Sequence, residues 1–238
     1  MRSSPAAAGP PGGTRRGWPG SWTSCRFLIQ PLPGTGPLRR TTTSAQLSTT
    51  SGIWARAASP SATGLAGWHD EVERVVGLIA ALPPARTLDV ACGSAFLTRH
   101  LRGSLVVGLD QSRAMVALAQ TRLPDGLAMV GDALDLPFPD GAFDRVLTGH
   151  FYGHLPTSER MVFLAEARRV AGELIVIDSA LRAAVEPEQW QERVLNDGSR
   201  HRVYKRYLTG QQLADELDGE MLLSGTWFAA AGTSRSGG

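Results

Sequence analysis

From residue 87 onward, short apolar runs alternate with amphipathic stretches, and this alternation constrains the fold more than any other feature. The runs at 87–91, 105–109, 127–130, 143–148 and 173–178 read as strands. Residues 96–101, the stretch after Ser112 and residues 158–170 read as helices between them. Ser112 is placed to cap the helix carrying Met115, Val116, Leu118 and Ala119. An earlier helix over 68–82 sets Val72, Val75, Val76, Leu78 and Ile79 against Asp70, Glu71, Glu73 and Arg74, until Pro83-Pro84 stops it. Strands this apolar, separated by helices, predict an α/β fold with a mostly parallel, doubly wound sheet covered on both faces. The tail changes pattern. Thr209 can cap a helix to Leu217, and 220–223 and 226–230 then read as strands joined by a tight Ser224-Gly225 turn.

Composition divides the chain in two. Residues 1–60 hold seven arginines, eight of the 15 prolines and no carboxylate, and the first acid is Asp70. Residues 61–238 therefore hold 17 basic and 22 acidic groups, a net charge of −5. Residues 1–60 are expected to be a disordered low-complexity extension, and 61–238 the folded domain. A targeting segment, a flexible arm and a start set too far upstream are the readings open for the extension. One lysine, Lys205, stands against 23 arginines, which suggests GC-rich coding DNA in which reading frames run long. No run approaches the roughly 18 apolar residues of a membrane-spanning helix. The stretch 26–29 is too short for a secretory core, so a cytoplasmic protein is expected. Cys25 and Cys92 cannot by themselves build a disulfide framework or a four-ligand zinc site.

Open α/β sheets bind ligands at the carboxyl ends of their strands. The first three strands each bring a carboxylate there: Asp89, Asp110 and Asp132. Asp110, 21 residues past Asp89, is placed to accept hydrogen bonds from the two hydroxyls of a ribose. Ala91, Gly93 and Ala95 are small enough for the backbone to pass close to a ligand. Asp132 can accept from an exocyclic amine such as that of adenine. Together these describe a nucleoside site.

Residues 87–148 resemble the S-adenosylmethionine-binding half of a class I, Rossmann-like methyltransferase. Thr87-Leu88-Asp89-Val90-Ala91-Cys92-Gly93-Ser94-Ala95 is similar to that family's first motif, a strand ending in an acid and a glycine-rich turn. Asp110 matches its ribose-binding acid, and Asp132 the acid facing adenine. Residues 136–144 are similar to its approach to the fourth strand. The pattern departs at Ala91 and Ala95, where glycine is common, and at 170–173, which lack the usual Pro-Gly-Gly. In outline the resemblance covers 66–230. It implies seven strands in the order 3-2-1-4-5-7-6 with strand 7 antiparallel, and S-adenosyl-L-methionine as cofactor. It also implies cofactor contacts from Asp89, Ala91, Cys92, Gly93 and Asp110. Gln111, Asp132, Ala133 and His150 complete that expected set. A nicotinamide dehydrogenase is the rival nucleotide reading. Its Gly-x-Gly-x-x-Gly turn is missing, and Asp89 would repel a pyrophosphate yet suit the ammonium of a methionine moiety.

The resemblance implies methyl transfer by in-line displacement to a small-molecule acceptor at O, N or C. An inactive cofactor-binding relative and an enzyme acting on nucleic acid are the alternatives. The acceptor is expected near the end of the fourth strand and over the segment after the fifth. His150 and His154 are the candidate general bases. Phe151, Tyr152, Arg202, Tyr204 and Arg206 are the candidate acceptor contacts, the two segments 151–154 and 204–207 holding all three tyrosines. For 199–207 the other reading is a solvated basic loop paired with Glu186, Glu188 and Glu192. Basic residues interleaved with aromatics also fit a nucleic-acid contact, but a net acidic domain argues against a broad phosphate-tracking surface. His150-x-x-x-His154 lacks the glutamate of a zinc-protease helix and has Gly153 inside it, so no metal is expected.

Overall fold

The computed structural model describes residues 66–194 and 200–233. The expectation for residues 1–60 lies outside the described residues. Nine strands and four α-helices follow in the order α1 (Trp68–Ala81), β1 (Arg86–Val90), β2 (Leu105–Asp110), α2 (Arg113–Arg122), β3 (Leu127–Val130), β4 (Phe143–Gly149) and α3 (Thr157–Val170) among the described residues. Then come β5 (Ala171–Ser179), β6 (Glu188–Val194), β7 (Arg200–Arg206), α4 (Gly210–Leu217), β8 (Glu220–Ser224) and β9 (Phe228–Gly232).

Seven strands form one sheet in the order β3-β2-β1-β4-β5-β9-β8, which is 3-2-1-4-5-7-6 when only its own strands are counted. β1 to β5 run parallel, and β9 lies antiparallel between β5 and β8. The order that the family resemblance implies is therefore the order observed. The central strands are apolar at successive positions because both faces are covered. Val146, Leu174 and Val176 enter one core with Phe163 and Leu213, while Leu147, Ile175 and Ile177 enter the other with Val75 and Ile79. Only such two-sided cover leaves consecutive residues of a strand all buried.

The helices follow their local signals. α1 buries Trp68, Val72, Val75 and Ile79, one stripe at helical spacing. It ends where Leu82 turns extended before Pro83, as the residue ahead of a proline must. The Ser112 side chain accepts from Met115 N at 3.3 Å to cap α2. Thr209 and Gln212 form a complete capping box on α4.

Three expectations need correction. Residues 96–101 make only a 3-10 turn at Thr98–His100, because six residues that begin beside a left-handed Ala95 cannot nucleate an α-helix. β5 starts at Ala171, directly after α3, with no loop between them. β9 starts at Phe228 instead of residue 226, and the cause is Glu71. Its carboxylate, buried on α1, accepts Thr226 N at 2.7 Å, Trp227 N at 2.9 Å and Phe228 N at 3.1 Å. Those amides are turned to the helix, so the chain joins the ladder later.

The largest unforeseen element is the β6–β7 hairpin, an antiparallel pair outside the main sheet. β7 alternates exposed Arg200 and Arg202 with buried His201, Val203 and Lys205. The alternation is real, but its inward residues include a histidine and a lysine. No hydrophobic pattern therefore marks it.

Removing the Glu71 carboxylate leaves three amides, two part-buried and one buried, without their acceptor. Glu71→Ala is expected to lower unfolding free energy by about 2–4 kcal/mol. Urea unfolding would show this as a lower midpoint at unchanged slope, and an unchanged midpoint would count against the clamp.

Candidate functional site

The carboxyl ends of β1, β2 and β3 lie side by side, since these strands are neighbours in parallel register. Asp110 closes β2 and is buried. Its Oδ2 accepts Gly93 N at 2.9 Å and its Oδ1 accepts Ser112 N at 2.8 Å. One carboxylate thus holds both the turn after β1 and the start of α2. Each oxygen keeps a further lone pair for a ligand hydroxyl. Burial pushes its pKa up, against the pull of those two backbone bonds.

The turn after β1 is left-handed at Ala91 (φ 58°), Gly93 (φ 54°) and Ala95 (φ 60°). Two of these three positions are therefore alanines where glycine is easier, at a cost of roughly 1–2 kcal/mol each. Ala95 is fully buried and its methyl faces inward. Cys92 donates its backbone N–H to Leu109 O at 3.0 Å, and its side chain packs with Ala119 and Leu123 beneath the turn. A Cβ on Gly108 would meet the Cys92 Sγ at 2.8 Å, so the thiol is wedged against β2. Burial, then Asp89 and Asp110, push its pKa well up. Cys92 accordingly presents backbone to the site, not sulfur.

Asp89 is buried one residue before the end of β1, and Thr98 Oγ1 donates to its Oδ2 at 2.5 Å. Burial raises its pKa to about 7, with Asp110 adding to the rise and the Thr98 bond opposing it. Thr98 was not legible in the sequence, because nine residues separate it from its partner in an irregular turn. Beyond β3, Asp132 Oδ1 accepts Leu134 N at 2.8 Å and so shapes its own turn, while Ala133 is buried behind it. Gln111 is half-buried between Asp110 and the cap of α2.

The segment after β4 is packed more deeply than expected. His150 is left-handed (φ 57°), buried, and gives its N–H to Ile177 O at 2.8 Å. Its Nδ1 lies 3.2 Å from Ser179 Oγ and 3.8 Å from Asp178 Oδ1. Burial lowers its pKa to about 4; Asp178 opposes this and Lys205 adds to it. His154 Nδ1 donates to Tyr204 O at 2.8 Å, and burial followed by Lys205 lowers that ring to about 3. Both imidazoles are therefore neutral at pH 7 and weakly basic.

Phe151 and Tyr152 pack on Phe163 in the core, with ring centroids 5.4 and 6.3 Å away. The Tyr152 hydroxyl donates to Glu216 Oε2 at 2.9 Å, and burial raises its pKa. Arg206 ion-pairs with the same carboxylate at 2.5 Å and with Glu188 at 3.3 Å. Tyr152 and Arg206 are thus brought together, on Glu216 of α4. Truncating Tyr152 to alanine would remove a fully buried ring and cost about 3–5 kcal/mol, whatever else it did. Arg202 lies on the outer face of the hairpin, whereas the half-buried Tyr204 hydrogen-bonds Arg160 and Glu188 and so reaches the same cluster, Arg160 lying 3.8 Å from Glu216 and 5.9 Å over the Tyr152 ring. The Arg202 guanidinium covers Trp190 at 5.5 Å, and the Tyr204 ring meets Trp190 edge-on at 5.8 Å. Glu216 and Trp190 could not be singled out from sequence, because neither sits in a motif.

A raised carboxyl pKa has a definite sign. The folded state holds the Asp89 proton more tightly than the unfolded state, whose value is about 3.9. That contribution is present below about pH 4 and is lost as pH rises through 7. Asp89→Asn cannot ionise. Its stability relative to the wild type should therefore increase between about pH 5 and pH 8 in ligand-free urea unfolding. Parallel pH profiles for the two proteins would contradict this.

Residues 88–173 match the family model described as a methyltransferase domain. A demethylmenaquinone methyltransferase of Thermotoga maritima is 37% identical over 113 residues, 44% of this chain and 48% of its own length. An ajmaline N-methyltransferase of Rauvolfia serpentina is 37% identical over 128 residues, 47% of this chain and 43% of its own. The chain thus spans about half the length of the curated relatives it matches. Among solved structures, a complex of DhpI with SAH superposes with a TM-score of 0.60 at 25% identity, over 81% of this chain and 97% of that one. The sheet order, the acid-tipped strands and these likenesses agree on a methyltransferase domain that includes residues 88–173, with S-adenosylmethionine as its cofactor.

Proposed function

We propose that this protein transfers a methyl group from S-adenosylmethionine to a small-molecule acceptor. The observation that carries the reading is Asp110, a buried carboxylate at the end of β2 whose two oxygens are each aimed by one backbone N–H. That arrangement suits a pair of ribose hydroxyls, and the left-handed turn at Ala91 and Gly93 leaves room for backbone to approach the ligand. Asp132 would accept from the adenine amine, with Gln111 and Ala133 flanking the base. Asp89, with Cys92 and Gly93 backbone beside it, would face the methionine end. A bound ammonium there favours ionised Asp89, so ligand and carboxylate stabilise each other.

When bound, S-adenosylmethionine supplies a methyl group on a sulfonium, activated for in-line displacement. The protein's share is alignment, which can supply up to roughly 7–11 kcal/mol of barrier reduction. His150 would close the methionine end from the β4 side. Neutral and weakly basic, it can orient an acceptor more readily than it can strip a proton from one. The relatives' names span a quinone and an alkaloid, so the acceptor is proposed only as a small molecule. The hairpin's cations argue against a phosphate-tracking face, since Arg206 pairs with Glu188 and Arg200 with Glu192.

Calorimetry with S-adenosylhomocysteine tests the site. Asp110→Ala should weaken binding at least about tenfold, or 1.4 kcal/mol, with part of the loss coming from the released turn. Equal affinity in wild type and variant, or no binding by the wild type, overturns the assignment. Turnover of S-adenosylmethionine over a panel of phenols, amines and quinols then separates an enzyme from a binding-only relative.

We also propose that residues 61–238 form the methyltransferase domain, independent of residues 1–60. Deleting residues 1–60 should leave S-adenosylhomocysteine affinity within about twofold. A larger loss would show that the extension completes the site.

A further inference from the structure

The chain's single lysine, Lys205, is buried on the inner face of the β6–β7 hairpin. Its Nζ donates to Asp178 Oδ1 at 2.5 Å. Asp178, fully buried near the end of β5, also accepts Gly153 N through Oδ2 at 2.7 Å and Ser179 N at 2.7 Å. One carboxylate therefore joins β5, the segment after β4 and the hairpin. The fit is close: a Cβ on Gly153 would lie 2.5 Å from Arg206 O, 3.0 Å from Lys205 Nζ and 3.1 Å from Asp178 Oδ1. His154 adds a second tie to the same strand, through Tyr204 O.

A buried ion pair is a poor device for stability alone, because desolvation offsets most of its attraction and apolar side chains of like volume do as well or better. What it supplies is a unique position. The backbone bridge between Leu208 and Ala180 ties down the end of the hairpin, but with few apolar inward residues its inner face is seated chiefly by polar contacts, the Lys205–Asp178 pair among them. We propose that Lys205 is a positioning residue: through Asp178 it seats the hairpin on the segment 149–154 and thereby fixes the side of the site where the acceptor enters.

The same pair sets the electrostatics around His150. The charged and titratable groups facing that ring are Asp178 from β5, Lys205 from β7 and His154 from its own segment, and β9 sets the Phe228 ring edge-on against it at 5.3 Å. Burial acts to raise the Asp178 pKa, but Lys205 and the two histidines outweigh it and bring it down to about 2. With its charge committed to Lys205, Asp178 draws less proton density to His150. Removal of the ammonium should let the imidazoles bind protons more readily.

The acceptor side of this inference rests on the methyltransferase reading, whereas the seating does not. In wild-type protein, hydrogen exchange should protect the Gly153 amide at least about a hundredfold over an unstructured amide. An unprotected Gly153 overturns the proposal without any variant having to fold. In Lys205→Met, Gly153 protection should fall at least about tenfold while Leu88 and Val107 amides keep theirs. The titration midpoint of the His150 or His154 ring, followed by NMR, should also rise by at least about one pH unit. Both changes together support the positioning role. Unchanged titrations, unchanged Gly153 protection, or a uniform loss that includes Leu88 and Val107 overturn it. If wild-type protein binds no S-adenosylhomocysteine, the methyltransferase reading fails while the exchange results still judge the seat.

Discussion

Both faces of β1, β4 and β5 are covered, so these strands can carry polar chemistry only at their ends. Everything distinctive about the molecule follows from that constraint. Asp89, Asp110 and Asp178 all sit at or next to the carboxyl ends of their strands, and all are buried. A buried carboxylate without partners is costly, so each must recruit donors from the chain that leaves the sheet nearby. Asp110 takes amides from Gly93 and Ser112, Asp89 takes the Thr98 hydroxyl, and Asp178 takes Gly153 N and Lys205. The loops at this edge are shaped by the acids they satisfy.

The same logic explains where strain is accepted. Ala91, Ala95 and His150 are non-glycine residues with positive φ, and all three lie just beyond strands β1 and β4. The turns there must reverse the chain within a few residues while bringing N–H groups to the acids. Hydrogen bonds to charged groups, worth about 1.5–3 kcal/mol each, are large enough to hold such conformations. Glu71 works alike at a distance from the candidate site. It is a helix carboxylate buried to receive three amides of the β8–β9 turn.

The ends of β4 and β5 are built differently from the ends of β1 to β3. Around β1 to β3 the polar groups belong to the sheet and its immediate turns. Around β4 and β5 they come from elements far apart in sequence: Glu216 of α4 meets Tyr152 across 64 residues, and Lys205 meets Asp178 across 27. A region assembled from distant pieces can vary without disturbing the turns after β1 to β3.

The sequence by itself determined the strands, their alternation with helices, and the three acids that tip β1, β2 and β3, because each is a local pattern of period, cap or spacing. The order of the seven strands came only with the family resemblance that those acid-tipped motifs carry. Tertiary structure alone decided the rest. The hairpin was hidden because His201 and Lys205 occupy its inward positions. The start of β9 depended on a carboxylate more than 150 residues away. Phe151 and Tyr152, candidates for the acceptor, turned into the core once Phe163 and Glu216 were in place beside them. The physical reason is common to all three: hydrophobic period and turn chemistry act between neighbours in the chain, whereas a buried polar group is settled by whichever partner the fold brings within 3 Å of it.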